Sequence, residues 1–430
     1  MFGTPSADRR GSARSFGRAS IVGIAASLAI AAAAVSLGAS AAAGHAARAH
    51  AAYGCPQPAY SPRDPRNPLG LASAPGADPL RGASLFVDGP RHGAAAGAIA
   101  QALGLDPTSF PDGYSWASLR QAIDSPAGRA RLNANPGLAH EVRMLEKIAR
   151  EPETQRFSAY SGGGGPGAVY AQVVKLFCYN LTADPGSIPV FSTFFLHPAL
   201  GGCATPSQVI AAGPVFRRRV DEVAAATGNR PAVYLLEIDA IGSSSCMVHS
   251  HALPYWEADL RYEVDKLSAL PHTVVYLEGG YSDSNSPSYT AKVLNASGIR
   301  QARGFFTNDT HENWTLDEIN WAQKVSRMTH GAHFIVNTAN NGHGPLRPRN
   351  RVKNGNEVLC NPPGRGLGPR PTTSTGFKSV DAFLWTSPPG NSSGSCNGGP
   401  ASGTFWPAKA IAEASRANGR LGPRYPSRPY

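Results

Sequence analysis

The middle of the chain alternates short apolar runs with helical stretches, and this alternation constrains the fold more than any other feature. From about residue 187 the apolar runs are IPVFSTFFL, PAVYLLEID, HTVVYLEGG, ARGFFTN and AHFIVNT. Segments with helical character, such as ADLRYEVDKLSAL and TLDEINWAQKVSRMTHG, separate them. Continuous apolar strands joined by helices are typical of a parallel sheet. Enough strands follow in series to close a barrel, so the sequence predicts an α/β fold of the β/α-barrel kind.

Functional side chains of a parallel β/α barrel lie at the C-terminal ends of its strands. That rule selects His197, Glu237, Asp239, Glu278, Asn308, Asp309 and Asn337. Glu237 and Asp239 follow one apolar strand, and the alternation of side chains along a strand predicts that they share a face. Partial burial raises the pKa of a carboxyl and makes it a proton donor near neutral pH. The alternative is that these acids cap the next helix or pair with an arginine.

The N-terminal region predicts export. Four arginines precede the apolar run from Ile21 to Leu37, and small residues with A-x-A-type sites follow. This is the pattern of a secretory signal peptide, which we expect over residues 1–50. The alternative, a membrane anchor, is disfavoured because the Ala-rich run is short for a span. We expect residues 51–77 to form an N-terminal loop and residues 78–430 a single secreted domain, with a helix at 91–104.

Cysteine and charge patterns narrow the function further. All six cysteines lie beyond the predicted signal peptide, and an even number in an exported chain fits three disulfides. The formal net charge of +11 is spread without a dense basic run, so nucleic-acid binding is not supported. The HSH of His249 to His251 is better interpreted as a loop than as a zinc site, and we expect no metal or other cofactor. The Gly-rich stretches contain neither a G-x-S-x-G elbow nor a phosphate-binding loop.

One long motif and several shorter ones carry a family resemblance. The segment from Val358 to Trp406 contains LCNPPGRGLGPRPTT, DAFLW, PPG and CNGGP, and DPLRGASLFVD, LLEIDA, VVYLEGGYS, ARGFFTN and HFIVNTANNGHGP precede it in order. Over roughly residues 78 to 415 the chain resembles glycoside hydrolase family 6, secreted endoglucanases and cellobiohydrolases that act on β-1,4-glucan. The resemblance implies a distorted, partly open parallel β/α barrel with a substrate cleft roofed by loops.

The resemblance also implies a mechanism and a set of site residues. Members of the family invert the anomeric centre: a carboxylic acid protonates the leaving oxygen while water attacks from the opposite face. The acid corresponds to Asp239, an aromatic platform to Phe86, an acidic sugar contact to Asp88 and a sugar-binding amide to Asn308. For Phe86, a place in the core is an equally good interpretation.

Two disulfides are implied in the same way. The resemblance pairs Cys203 with Cys246 and Cys360 with Cys396, which leaves Cys55 and Cys178 for each other. The bond between Cys360 and Cys396 would staple the Gly/Pro loop and hold one wall of the cleft. We expect a monomer that binds a polysaccharide or oligosaccharide and has no membrane partner after cleavage.

The chain departs from the family inside the site. SPPGNSSG stands where the family has K-P-P-G-E-x-D-G, which puts Ser387 at the Lys, Asn391 at the Glu and Ser393 at the Asp proposed as base. Further replacements are Phe195, Gly202, Glu278, Tyr281, Ser284 and Leu359. A hydroxyl cannot accept a proton at neutral pH as a carboxylate does, and loss of a general base costs about 10²- to 10⁴-fold in rate.

Three interpretations follow from these departures. The first is a hydrolase of a different, non-cellulosic glycan, in which Asp239 works with a relocated base. The candidates for that base are Glu278, Asp283, Asp309 and His343. The second is a slow enzyme that passes the proton from water through a hydrogen-bonded chain, and the third is a catalytically weak or inactive carbohydrate-binding homologue.

Overall fold

The computed structural model describes residues 78–159, 165–196, 200, 203–345 and 360–426. The predicted signal peptide over 1–50 and the N-terminal loop over 51–77 lie outside these residues. So do the strand-end candidate His197 and two replaced positions, Gly202 and Leu359. The predictions for them stay predictions.

Seven parallel strands form one sheet in chain order. They are β1 (Gln155–Ser158), β2 (Val190–Phe194), β3 (Ala232–Leu236), β4 (Thr273–Glu278), β5 (Gly304–Thr307), β6 (His333–Asn337) and β7 (Val380–Leu384). In β3 and β4, Tyr234 lies opposite Val275, and in β5 and β6, Phe306 lies opposite Ile335. The sheet order places β1 and β7 at opposite edges, so the barrel is open between them. The prediction of a distorted, partly open parallel barrel is confirmed.

All five predicted apolar runs form strands, whereas the pattern does not reveal the two edge strands. β1 has four residues, of which only Phe157 is fully buried, so it carries little hydrophobic signal. β7 is buried along its whole length, but the Gly/Pro loop precedes it where a barrel usually has a helix. The alternation of strands and helices therefore does not predict either edge strand.

Helices cover the outside of the sheet. Their bounds are α1 (Ala94–Ala102), α2 (Trp116–Asp124), α3 (Pro126–Ala134), α4 (Pro136–Ala149), α5 (Ala168–Ala183), α6 (Pro206–Thr227), α7 (Ser245–Ser250), α8 (Leu253–Ser268), α9 (Pro287–Ala296), α10 (Thr315–Met328) and α11 (Pro407–Ser415). Thr205 begins α6 with a capping box to Gln208, which satisfies backbone donors at the helix start. The helix predicted at 91–104 is present as α1. Within the described ranges, the longest apolar helical stretch falls short of what a membrane crossing requires.

Strand alternation divides the core into layers. Tyr234 and Leu236 of β3 pack toward the helices together with Trp256 of α8. Val233 and Leu235 of the same strand belong to a second cluster, formed by side chains of the strands inside the barrel. Because side chains fill the barrel interior, a ligand has room only at its ends.

A buried ionic network joins four strands. Asp381 of β7 accepts hydrogen bonds from Tyr276 Oη of β4 (2.7 Å), from Arg303 Nε just before β5 (2.7 Å) and from His333 Nδ1 of β6 (2.7 Å). Burial alone would raise the pKa of Asp381, but these donors and the guanidinium outweigh it and lower the pKa. The network therefore stabilises the sheet with an ionised carboxylate.

Candidate active site

A cleft of about 420 Å³ opens where several strands end. Arg156 of β1 and Phe194 of β2 line it, together with residues that follow β3, β5 and β7. These further residues include Ile238, Asp239, Asp309, Thr310, His311, Glu312, Ser387, Asn391, Ser393 and Lys409. The rule that functional residues follow the strands therefore identifies the correct end of the barrel. Arg156, Thr310 and Lys409 were missed, because none belongs to an acidic strand end or to a quoted motif.

Asp239 stands half-buried in the cleft, three residues beyond the end of β3. Its Oδ1 accepts hydrogen bonds from the hydroxyls of Tyr281 and of Thr310, the latter at 2.8 Å. Thr310 Oγ1 also lies 2.8 Å from the Tyr281 hydroxyl, so the three oxygens form a triangle. Both of these side-chain donors end on Oδ1, which fixes the carboxyl group through one oxygen and leaves Oδ2 for other partners.

Tyr281 is a buried neutral donor to Asp239. Burial first, and then the charge of Asp239, raise the pKa of its phenol well above the ordinary value. Its ring stacks on His311 with centroids 3.8 Å apart and planes 9° apart. A Cβ atom at Gly242 would lie 2.4 Å from Cε2 of this ring, so glycine is required there by close packing.

Glu278 holds the backbone of the loop that follows Asp239. Its carboxylate is fully buried and accepts backbone N–H groups from Ile241 (2.6 Å), Gly242 (2.9 Å) and Gly280 (2.5 Å). Burial, and next the charge of Asp239, raise the pKa of Glu278 to about 8. It does not line the cleft, so the geometry favours bracing of this loop over the proton abstraction that was predicted for Glu278.

Glu237 and Asp239 do not share a face, and that prediction is wrong. Strand β3 ends at Leu236, and both acids have positive φ angles, 53° for Glu237 and 62° for Asp239, so strand alternation no longer applies. Glu237 turns inward and accepts the backbone N–H groups of Phe195 (2.9 Å) and Leu196 (2.8 Å). Burial raises its pKa to about 7.

Asp309 is a second carboxylate of the cleft. Thr386 Oγ1 donates to its Oδ1, and Ser387 Oγ lies 3.4 Å from the same oxygen. Its Oδ2 is enclosed and has no hydrogen-bond donor among the described residues. Burial raises the pKa of Asp309 to about 6; Arg156 opposes this shift and Asp239 adds to it.

The other predicted base candidates lie elsewhere. Asp283 accepts hydrogen bonds from His311 Nδ1 (2.9 Å) and Asn313 Nδ2 (2.7 Å). His343 places Nε2 2.9 Å from the carbonyl oxygen of Arg416, beside a separate depression. Of the four candidates, Asp309 is the one found among the described cleft residues.

The three predicted sugar-binding residues are buried. Asn308 donates its amide to the carbonyls of Asn313 (3.1 Å) and Asn337 (3.0 Å), and thereby braces the ends of β5 and β6. Phe86 is 4% exposed and its ring meets another aromatic edge-on, as expected for a core residue. Asp88 is 3% exposed and accepts Gln155 Nε2 at 2.7 Å on both oxygens. None lines the described cleft, and their roles in sugar binding stay predictions.

The disulfide Cys360–Cys396 ties the Gly/Pro loop to the segment after β7, whose residues 387–393 form a wall of the cleft. The structure contains the disulfides Cys360–Cys396 and Cys203–Cys246, with Cα atoms 6.0 and 5.3 Å apart. Beside the former, Asn361 Nδ2 donates to the carbonyl of Gly394 at 2.7 Å. Its Oδ1 accepts the Ser393 N–H at 2.8 Å. These bonds hold the segment that the resemblance places at the family's base loop.

The remaining cysteines and histidines concern the third predicted disulfide and the predicted absence of a metal site, and both of these stay predictions. Cys178 lies on α5, and Cys55, its predicted partner, is outside the described residues. His249 is part of the short helix α7 and His251 follows it, so this segment is helical where a loop was expected. The described part of the chain brings together no group of three His, Cys, Asp or Glu side chains that could hold a metal ion.

Comparisons with known proteins agree with the fold. A sequence profile described as Glycosyl hydrolases family 6 matches residues 210–417. Endoglucanase 1 of Streptomyces sp. (strain KSM-9) is 32% identical over 286 residues, which cover 65% of this chain and 74% of that protein. The chain belongs to glycosyl hydrolases family 6. Endoglucanase A of Cellulomonas fimi is 30% identical over 277 residues, and there the match spans 64% of this family 6 chain but only 56% of the relative.

Solved family 6 structures share the fold. The endoglucanase Cel6 from Mycobacterium tuberculosis, in complex with methyl-cellobiosyl-4-deoxy-4-thio-β-D-cellobioside, is 32% identical with a TM-score of 0.56. The match covers 68% of this chain and 95% of that one. The catalytic core of the cellobiohydrolase Cel6A from Chaetomium thermophilum is 20% identical, with a TM-score of 0.56 and coverage of 80% and 99%. The latter likeness concerns the fold alone.

Proposed function

We propose that this family 6 chain is a secreted hydrolase of a β-1,4-linked glucan or a closely related glycan, with Asp239 as its proton donor. The observation that carries the proposal is the position of Asp239, half-buried in the cleft with Oδ1 held by two hydroxyls. The relatives named endoglucanase support the substrate class. The thio-oligosaccharide bound to the Mycobacterium tuberculosis enzyme supports a cleft that takes several sugar units.

In the proposed reaction, Oδ2 of Asp239 carries the proton and delivers it to the glycosidic oxygen as the bond to the anomeric carbon breaks. Tyr281 and Thr310 hold Oδ1 and accommodate the negative charge that remains on the carboxylate. Water attacks from the opposite face of the sugar, so the product has the inverted anomeric configuration.

A separate observation supports a second function, the binding of glycans without cleavage. Ser393 lines the cleft at the position of the family's base, and Ser387 and Asn391 also replace ionic residues there. A chain that binds glycans without cleaving them would retain the cleft and tolerate these changes.

The experiment separates the two functions. The secreted protein is incubated with glucans, mannans, xylans and arabinans, and new reducing ends are measured for the wild type, for Asp239→Asn and for Asp265→Asn, an exposed acid on α8. Hydrolysis lost only in Asp239→Asn supports the proposal. Hydrolysis that persists in Asp239→Asn refutes the proton donor, and glycan binding without any hydrolysis by the wild type supports the binding protein.

Two further measurements complete the test. Proton NMR of the first product shows whether its anomeric configuration is inverted relative to the substrate. Mass spectrometry of the protein recovered from culture supernatant reads its N-terminus, and a chain that begins after residue 50 supports signal cleavage. A full-length chain retained in the cells contradicts secretion.

A further inference from the structure

We propose that Asp309 is the relocated general base: its free carboxylate oxygen binds the attacking water and accepts its proton. The proposal rests on the proposed function, since it supplies the partner that Asp239 needs for an inverting reaction. It assigns to the end of β5 a role that the family's loop after β7 would otherwise fill.

The first argument is the unequal surroundings of the two carboxylate oxygens. Oδ1 of Asp309 accepts the hydroxyl of Thr386 and lies 3.4 Å from Ser387 Oγ, whereas Oδ2 is enclosed without a donor in the described chain. Buried carboxylate oxygens nearly always have a hydrogen-bond donor, because leaving one without a donor costs about 1–3 kcal/mol or more. A water bound at Oδ2 supplies that donor. The contacts at Oδ1 fix the orientation in which the carboxylate holds this water.

The second argument is the rigidity of the backbone at this residue. The carbonyl oxygen of Asp309 accepts Ser387 Oγ at 2.9 Å and Asn337 Nδ2 at 3.0 Å. The preceding Asn308 is tied to β6 and to Asn313. A base that must hold water in one orientation benefits from such fixed support.

The third argument is the relation to the proton donor. Asp239 follows β3 and Asp309 follows β5, with β4 between them in the sheet, and both line one cleft. An inverting enzyme requires this kind of arrangement, with a separation of about 6.5–9.5 Å that leaves room for water. Thr310, the next residue after Asp309, bonds Asp239, so the two carboxyl groups are coupled through adjacent backbone.

Burial first, and then the charges around it, set the protonation of Asp309. Arg156 faces it from β1 and favours the carboxylate, while Asp239 opposes ionisation. Burial is the main cause that raises the pKa of Glu278 and that of Tyr281, and the charge of Asp309 adds to both shifts. With its own pKa raised by burial to about 6, Asp309 is ionised above that pH and ready to accept a proton.

The reaction balances with water alone. The water oxygen bonds to the anomeric carbon, its proton passes to Oδ2 of Asp309, the glycosidic C–O bond breaks, and the proton of Asp239 passes to the leaving oxygen. Afterwards Asp309 is protonated and Asp239 ionised, and exchange of protons with solvent restores both groups.

The test compares Asp309→Asn and Asp309→Ala with Asp265→Asn, a matched change of the exposed acid on α8. We expect kcat on an aryl β-cello-oligosaccharide to fall about 10²- to 10⁴-fold in both Asp309 variants and to change less than threefold in Asp265→Asn. The decline of wild-type kcat/KM below pH 6 should disappear in Asp309→Asn. Thermal unfolding of each variant verifies that it is folded.

Recovery of activity by azide distinguishes a general base from a residue that has only a structural role. In Asp309→Ala, azide can occupy the position of the water and attack the anomeric carbon without a base, so we expect partial recovery of aryl-group release and an α-glycosyl azide product. Unchanged kcat and an unchanged pH profile in Asp309→Asn overturn the proposal, as does loss of activity without azide recovery in a folded Asp309→Ala. If Asp239→Asn is inactive while both Asp309 variants keep wild-type activity, only the assignment of the base is refuted. If the wild type hydrolyses no glycan, the proposed function is refuted, and the assignment of the base is refuted with it.

Discussion

The phenol of Tyr281 donates a hydrogen bond to Oδ1 of Asp239 while its ring lies stacked against His311. This contact joins the loop after β3 to the loops after β4 and β5, which together form one side of the cleft. Because burial and the adjacent carboxylate keep the phenol protonated, the hydrogen bond persists across the whole pH range in which a glycosidase operates. The carboxyl group is thus oriented by a donor that the pH does not switch off.

Replacing Tyr281 by Phe should lower kcat about tenfold or more. The change removes one hydrogen bond to a charged group, worth about 1.5–3 kcal/mol, and leaves Thr310 as the remaining hydroxyl donor to Oδ1. Steady-state kinetics on a soluble β-glucan measure the effect. Tyr289→Phe is the control, since its hydroxyl bonds Ser244 and does not line the cleft; equal losses in both variants would contradict a role specific to Asp239.

Replacing Gly242 by Ala should displace the Tyr281 ring and reduce both activity and stability. The added Cβ would stand 2.4 Å from the ring, and overpacking of this kind costs about 1–3 kcal/mol. Urea unfolding and kcat/KM measure the two effects together. Gly186→Ala, where the nearest atom would be 3.8 Å away, is the control. A Gly242→Ala variant with wild-type kinetics would show that the ring position is not needed.

Replacing Asp381 by Asn should destabilise the fold without touching the cleft. The variant leaves Arg303 without its buried partner, which costs about 3–5 kcal/mol at neutral pH. The lowered pKa of Asp381 contributes stability above its unfolded value of 3.8, and this is lost as the pH falls through the folded value. The difference between wild type and variant should therefore shrink in acid. Urea unfolding between pH 7 and pH 3 measures it.

A surface ion pair offers the comparison for that experiment. Asp221 lies 3.0 Å from Lys266 with 49% of its side chain exposed. Asp221→Asn should cost less than about 1 kcal/mol at any pH, because exposed pairs are screened by water and salt. A difference between wild type and Asp381→Asn that stayed constant with pH would disprove the ionised network.

Removing the disulfide of the cleft wall should affect substrate binding more than the barrel. Replacing Cys360 and Cys396 by Ser frees the loop from its staple, at a cost of about 2–4 kcal/mol for a closed loop of this size. We expect KM to rise severalfold while far-UV circular dichroism stays unchanged. The pair Cys203–Cys246 does not line the cleft, and its double Ser variant should leave KM close to the wild-type value.

The sequence by itself determined the class of fold and the edge of the sheet where chemistry occurs. Apolar runs and helices alternate over a length that only a parallel βα arrangement can bury, so β2 to β6 and their strand-end acids were predictable. The same local signal placed Asp239 and Asp309 among the candidates. Hydrophobic burial has a period that can be read along the chain, which is why this information is present without coordinates.

Only the tertiary structure decided which strand-end side chains face the cleft. Glu237 and Asp239 part because positive φ angles end the strand alternation, and Glu278 turns beneath the loop to accept backbone N–H groups 36 and 37 residues away. Asp309 meets Thr386 across 77 residues of chain. Such directions result from hydrogen bonds between distant segments, and a local pattern of residues contains no record of them.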